Sequence, residues 1–100
     1  MLTFIVKIDP DALQDIQQAT DWYNEQLPGL GDRFQKQVKQ QINSLRMNAQ
    51  NYSIRYKNVR CMIIKKFPFL VHFTIEKLTT TVNVFAVIHT SRNPTIWKEK

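Results

Sequence analysis

Val82-Asn83-Val84-Phe85-Ala86-Val87-Ile88 is apolar at every position but Asn83. A strand with one face in water alternates apolar and polar residues. This run is apolar on both faces, as in a central strand covered on both sides for much of its length. Such a strand needs neighbours, and the residues before it supply them. Arg60 to Phe67 and Phe69 to Glu76 read as two longer strands, separated at Pro68, which a central ladder rejects. Lys77-Leu78-Thr79-Thr80 makes the hairpin connection into the central strand, without the glycine a tight turn prefers. Ile54-Arg55-Tyr56-Lys57 is a short edge strand. On the other side, Asn93-Pro94 stops the strand, and Thr95 to Lys98 form one helical turn.

The first half of the chain has a different period. Leu2, Phe4, Val6 and Ile8 alternate with Thr3 and Lys7 as a half-buried strand. Asp9-Pro10 is an N-cap followed by proline at the first helical position, and Asp11 suits the positive helix end. Ala12, Ile16, Ala19, Tyr23 and Leu27 then recur every three or four residues, one apolar helix face flanked by Leu13 and Trp22. Pro28-Gly29-Leu30-Gly31 breaks that helix. Asp32 opens a second, with Leu30, Phe34, Val38, Ile42 and Leu45 on its inner face. Two amphipathic helices on so short a link form an antiparallel hairpin. The expected order is β-α-α-β-β-β-β. The fold is α+β, with an N-terminal helical hairpin packed on one face of a mainly antiparallel sheet.

One hundred residues, 43% hydrophobic with only two glycines, fit a single domain spanning 1–100. Leu2 to Val6 is too short for a signal peptide, and no apolar run reaches the roughly 20 residues of a membrane span. The lone Cys61 cannot form an internal disulfide, which points to a reducing, cytoplasmic setting. With His72 and His89 far from it in sequence, no structural metal site is expected, and no cofactor is called for. His72 alternates with apolar neighbours as a sheet residue rather than a ligand.

Charge is segregated along the chain. Residues 1–32 carry one base against six acids, and residues 33–100 carry thirteen bases against two acids. A basic two-thirds suits a polyanionic partner, a nucleic acid or an acidic protein segment.

This order of elements, with these residues, resembles the RelE/ParE superfamily of toxins from type II toxin–antitoxin modules, and its ParE-like, plasmid-stabilisation branch most closely. The resemblance runs through Asp15-Ile16, Trp22-Tyr23, Pro28-Gly29-Leu30-Gly31, Arg33-Phe34, Tyr52, Tyr56 and Val59-Arg60. It continues through Phe67-Pro68-Phe69-Leu70-Val71, Val87-Ile88-His89, Arg92-Asn93-Pro94 and Trp97. It implies a growth-inhibiting toxin neutralised by a cognate antitoxin, with no role at a membrane. Two activities divide the relatives. ParE-like members poison DNA gyrase by binding; RelE-like members cut mRNA on the ribosome without a metal. A non-toxic interaction module is a third reading.

Metal-free RNA cleavage needs a base for the 2′-hydroxyl proton, cations around the phosphorane, and an acid for the leaving oxygen. The resemblance assigns Arg60, His89 and Arg92 as candidates for those roles. It makes Arg55, Lys57, Arg60, Arg92 and Trp97 candidates for phosphate or partner binding, although Trp97 suits a packing role as well. Two features oppose the nuclease reading: residues 50–60 lack a dense lysine array, and the acids lie mostly within residues 1–32.

Overall fold

The computed structural model describes residues 3–91. In order, the elements are β1 (Ile5–Ile8), α1 (Pro10–Gln26), α2 (Leu30–Asn48), a 3-10 turn (Ala49–Asn51), β2 (Ile54–Tyr56), β3 (Val59–Ile63), β4 (Phe69–Glu76) and β5 (Thr81–His89). This is the expected α+β order. The five strands lie as β1-β5-β4-β3-β2, antiparallel throughout except that β1 runs parallel to β5. Among the described residues, no helix is long and apolar enough to cross a membrane.

β5 is interior, as its composition requires. Val82, Val84 and Val87 join the main core with Ala12, Ile16, Phe34, Val38, Ile42 and Leu45 of the helices. Ala86 and Ile88 join a second cluster with Val59, Cys61 and Leu70, and Phe85 packs against it. Strict alternation would put Val87 opposite Val84, yet both face the helices. The reason is a bulge: His72 pairs with Ala86 and Phe73 with Val84, leaving Phe85 as the extra residue.

The helical hairpin depends on two different glycines. Gly29, at φ +91, takes a left-handed conformation that side chains disfavour. Gly31 is needed for contact instead: a Cβ there would run into the Thr20 carbonyl and lie 2.6 Å from Asn24 Cγ. Asn24 Oδ1 accepts the Gly31 N–H at 2.8 Å, which fixes α2 against α1. Below this turn, Tyr23, Phe34, Phe67 and Phe69 form one aromatic cluster with centroid separations of 5.0 to 6.1 Å.

Several boundaries differ from expectation for local reasons. Asp9 is the N-cap, as expected, but without a side-chain cap: its carbonyl accepts the Leu13 N–H at 3.0 Å while its own N–H bonds to the Val84 carbonyl at 2.8 Å, so the residue joins the sheet to the helix. Leu27, assigned to the buried face of α1, is the C-cap with extended backbone, and its side chain is exposed. α2 begins at Leu30, two residues before Asp32, because Gly29 rather than Asp32 is the N-cap. β3 ends at Ile63 instead of reaching Phe67. Lys66 adopts φ +72, and the Ile64 N–H bonds to the Phe69 carbonyl, so the chain is already turning there.

Candidate functional site

The expected site residues fall on three separate parts of the sheet, and Arg92 and Trp97 lie outside the described residues.

His89 ends β5 on the helix side. There Asp15, Trp22 and Tyr23 of α1 and Phe69, Val87 and His89 of the sheet line a groove of about 370 Å³. The imidazole stacks edge-on against Phe69, with ring centroids 5.2 Å apart. The Ser91 backbone N–H donates to Nδ1 at 3.1 Å, and the Ser91 hydroxyl lies 2.7 Å from the same nitrogen. A backbone N–H can only donate, so Nδ1 is an acceptor and the proton of the neutral ring sits on Nε2. In this tautomer His89 carries a hydrogen-bond donor at Nε2, while its accepting nitrogen is engaged by Ser91.

Asp15 is the member of this groove that sequence reasoning missed as a functional residue. Its Oδ2 accepts the Val87 N–H at 3.0 Å, across 72 residues of sequence. The pattern did hold a signal: Asp15, Ala19 and Trp22 share one flank of α1, and an acid beside an apolar helix face needs a partner. Trp22, 56% exposed, forms the rim of the groove and stacks edge-on against Tyr23 at 5.2 Å.

Arg60 lies elsewhere. It pairs with Phe73 on β4, whereas His89 pairs with Phe69. Four residues along β4 and two strand spacings put the two backbones roughly 16 Å apart. The Arg60 Nη1 donates to the Tyr52 carbonyl at 2.6 Å and to the Gln50 carbonyl at 3.3 Å. Its charge thus fastens the 3-10 turn and the approach to β2 onto the sheet. The structure does not bring Arg60 and His89 to one phosphate.

Arg55 and Lys57 belong to the β2–β3 hairpin. Both are exposed, and Lys57 occupies the turn at φ +48. Lys57 borders a groove of about 450 Å³ that also contains Asp9, Asp11 and Phe85. Those carboxylates make it a poor cradle for an anion. Beneath the hairpin, the Tyr56 hydroxyl lies 3.1 Å and Cys61 Sγ 3.5 Å from His72 Nδ1. Burial raises the pKa of both Tyr56 and Cys61, so each keeps its proton and can donate. The nearby Arg55 charge partly offsets that rise for Cys61. His72 is fully buried, in keeping with a core histidine.

The family model described as the ParE toxin of the type II toxin–antitoxin system parDE matches residues 6–94. No curated protein sequence matches the chain. A chromosomal ParDE toxin–antitoxin structure from P. aeruginosa superposes with a TM-score of 0.79 at 16% identity, covering 91% of this chain and 100% of that one. The RelBE2 toxin–antitoxin complex from Mycobacterium tuberculosis gives 0.65 at 15% identity, covering 87% and 98%. The isolated E. coli RelE toxin gives 0.58 at 13% identity, covering 96% and 94%. At these identities the structures speak for the shared fold.

Proposed function

Because the chain belongs to the ParE toxin family of type II toxin–antitoxin systems, we propose that it inhibits growth by binding DNA gyrase rather than by cutting RNA. The observation that carries this reading is the separation of Arg60 from His89, each already engaged by its own backbone neighbours. Cleavage at a 2′-hydroxyl requires cation, base and acid around one phosphorus atom, within a few ångströms. Inhibition by binding has no such requirement. It needs a rigid shape with anchor residues, and Trp22 above the Asp15–His89 groove supplies an aromatic one.

The same reading gives the chain an antitoxin partner and a cytoplasmic site of action. Solved relatives carry such partners: the M. tuberculosis RelBE2 structure is a toxin–antitoxin complex, as is the intact E. coli RelBE structure. A short segment that orders on binding suits a surface with apolar grooves edged by charge.

Supercoiling by purified gyrase, with and without the purified protein, tests the proposal. Inhibition at micromolar protein, relieved by the co-expressed antitoxin, is expected. Unimpaired supercoiling together with mRNA cleavage in a translating extract would replace it with the endoribonuclease reading. Unimpaired supercoiling without cleavage, and normal growth on expression without antitoxin, would leave a non-toxic interaction module.

A further inference from the structure

α2 is 19 residues long, about 28 Å at the helical rise, and its two sides differ completely. Phe34, Val38, Ile42 and Leu45 are buried against the sheet. Arg33, Lys36, Lys39, Gln40, Asn43 and Arg46 are exposed. The only acid in the helix is Asp32, in its first turn, where it accepts from Asn24 Nδ2 at 3.4 Å. α1 is the reverse: Asp11, Asp21 and Glu25 are exposed, and no base occurs between Asp9 and Asp32. A surface built for solubility alone intersperses the two signs. Lys36 and Lys39, three residues apart, instead repel each other on the helix surface.

A groove borders each half of this helix, the two on opposite flanks, and each contains two cations. One, of about 310 Å³, is lined by Arg33, Gln37, Lys66 and Phe67. The other, of about 580 Å³, lies between α2 and β1 and holds Lys39 and Arg46 above Phe4 and Val6. At 100° per residue, Arg33 and Gln37 lie on the opposite flank from Lys39 and Arg46. Among the described residues no acid lines either groove, whereas the other two grooves contain Asp15 and the Asp9/Asp11 pair.

Lys66 is held in place by the fold. Gln41 donates from Nε2 to the Ile63 carbonyl at 2.9 Å and accepts the Lys65 N–H at 2.7 Å. That amide straps the β3–β4 connection onto α2. Within it Lys66 adopts φ +72, a left-handed backbone that costs roughly 1 kcal/mol and that glycine would relieve.

We infer that α2, with the Arg33–Lys66 and Lys39–Arg46 grooves on its flanks, is a face for duplex DNA. A helix about 10–12 Å across fits the roughly 12 Å major groove of B-DNA. Cations on both flanks then meet phosphates of both strands, while Lys36 and Gln40 on the crown face the base edges. An A-form RNA duplex has too narrow a major groove for this approach. An extended acidic peptide is met best by cations along one line, whereas these lie in two grooves on opposite flanks of the helix. The face stands apart from the gyrase reading, since neither its residues nor its test involves that enzyme.

Fluorescence anisotropy of a labelled 20-base-pair DNA duplex, titrated with the full chain, is the test. Binding in the micromolar range is expected, weakening with salt at a log–log slope of about −4 for some four to five phosphate contacts. Lys36→Glu and Lys66→Glu should each lower affinity about fivefold or more, and Lys77→Glu, on the distant β4–β5 turn, less than about twofold. Circular dichroism melts confirm that each variant is folded, and Lys66→Gly, which relaxes the backbone, serves should Lys66→Glu fail to fold. Equal losses from all three sites would overturn the proposal in favour of diffuse net charge. Equal binding of duplex RNA, or equally effective competition by polyglutamate, would overturn it as well, as would failure to bind DNA.

Discussion

Asp15 Oδ2 takes the Val87 N–H at 3.0 Å, at a point where β1, whose last pairing is Ile8 with Val84, no longer borders β5. A helix side chain thus substitutes for a strand. Asp15→Ala leaves a part-buried donor unmatched and should cost about 1–3 kcal/mol. Asp15→Asn keeps an acceptor and should cost less. Urea unfolding should show a lower midpoint with an unchanged slope; equal losses from both variants would assign the effect to charge.

Arg60 acts as a clamp on the Gln50 and Tyr52 carbonyls. Arg60→Met should lower stability by about 1–2 kcal/mol while leaving growth inhibition intact at temperatures where the variant is folded. Growth inhibition lost at full stability would return Arg60 to the functional site.

The two glycines of the hairpin should respond differently. Gly31→Ala drives a methyl into the Thr20 carbonyl and the Asn24 side chain, and should cost about 3 kcal/mol or more. Gly29→Ala meets open space and bears only the left-handed backbone, a cost of about 1 kcal/mol. Thermal melts of the two variants separate contact from conformation.

Cys61, Tyr56 and Tyr23 all have pKa values raised by burial, above ordinary values of 9.0 for the thiol and 10.0 for the phenols. The native state therefore holds these protons when the unfolded chain releases them. Their contribution to stability is complete below the unfolded values and is lost as pH rises through the folded ones. Unfolding free energy should fall from near pH 9 upward, and Cys61→Ala should flatten the first part of that fall. A profile rising over this interval would contradict the assignment.

Much of the fold was legible because it rests on periodicity. The doubly apolar run at Val82–Ile88 marked the interior strand, and Pro28-Gly29-Leu30-Gly31 marked the hairpin turn. The bulge at Phe85 was hidden, since an all-apolar run has the same appearance in either register. The end of β3 was hidden too: Arg60 to Phe67 is strand-like in composition, and only the left-handed Lys66 shows where the chain turns. The parallel β1–β5 pairing depends on which neighbours strand β5 acquires, not on local pattern. At the site, residue types near the end of β5 and on β3 were readable. What occupies them was not, because Ser91 and the Gln50 and Tyr52 carbonyls reach their partners through turns that no spacing rule describes.

The β1–β5 pairing also governs when the molecule can finish folding. Ile5 to Ile8 have Thr81 to Val84 as their strand neighbours, and the Asp9 N–H closes on Val84. In synthesis order the helical hairpin and the β2–β3–β4 meander all precede β5, while β1 waits without a strand neighbour. Joining such distant segments is slow, because loop closure comes before any contact rewards it. A nascent chain therefore stays incomplete until nearly all of its strands are made, and a fragment that stops short of Thr81 lacks the interior strand on which both cores are built.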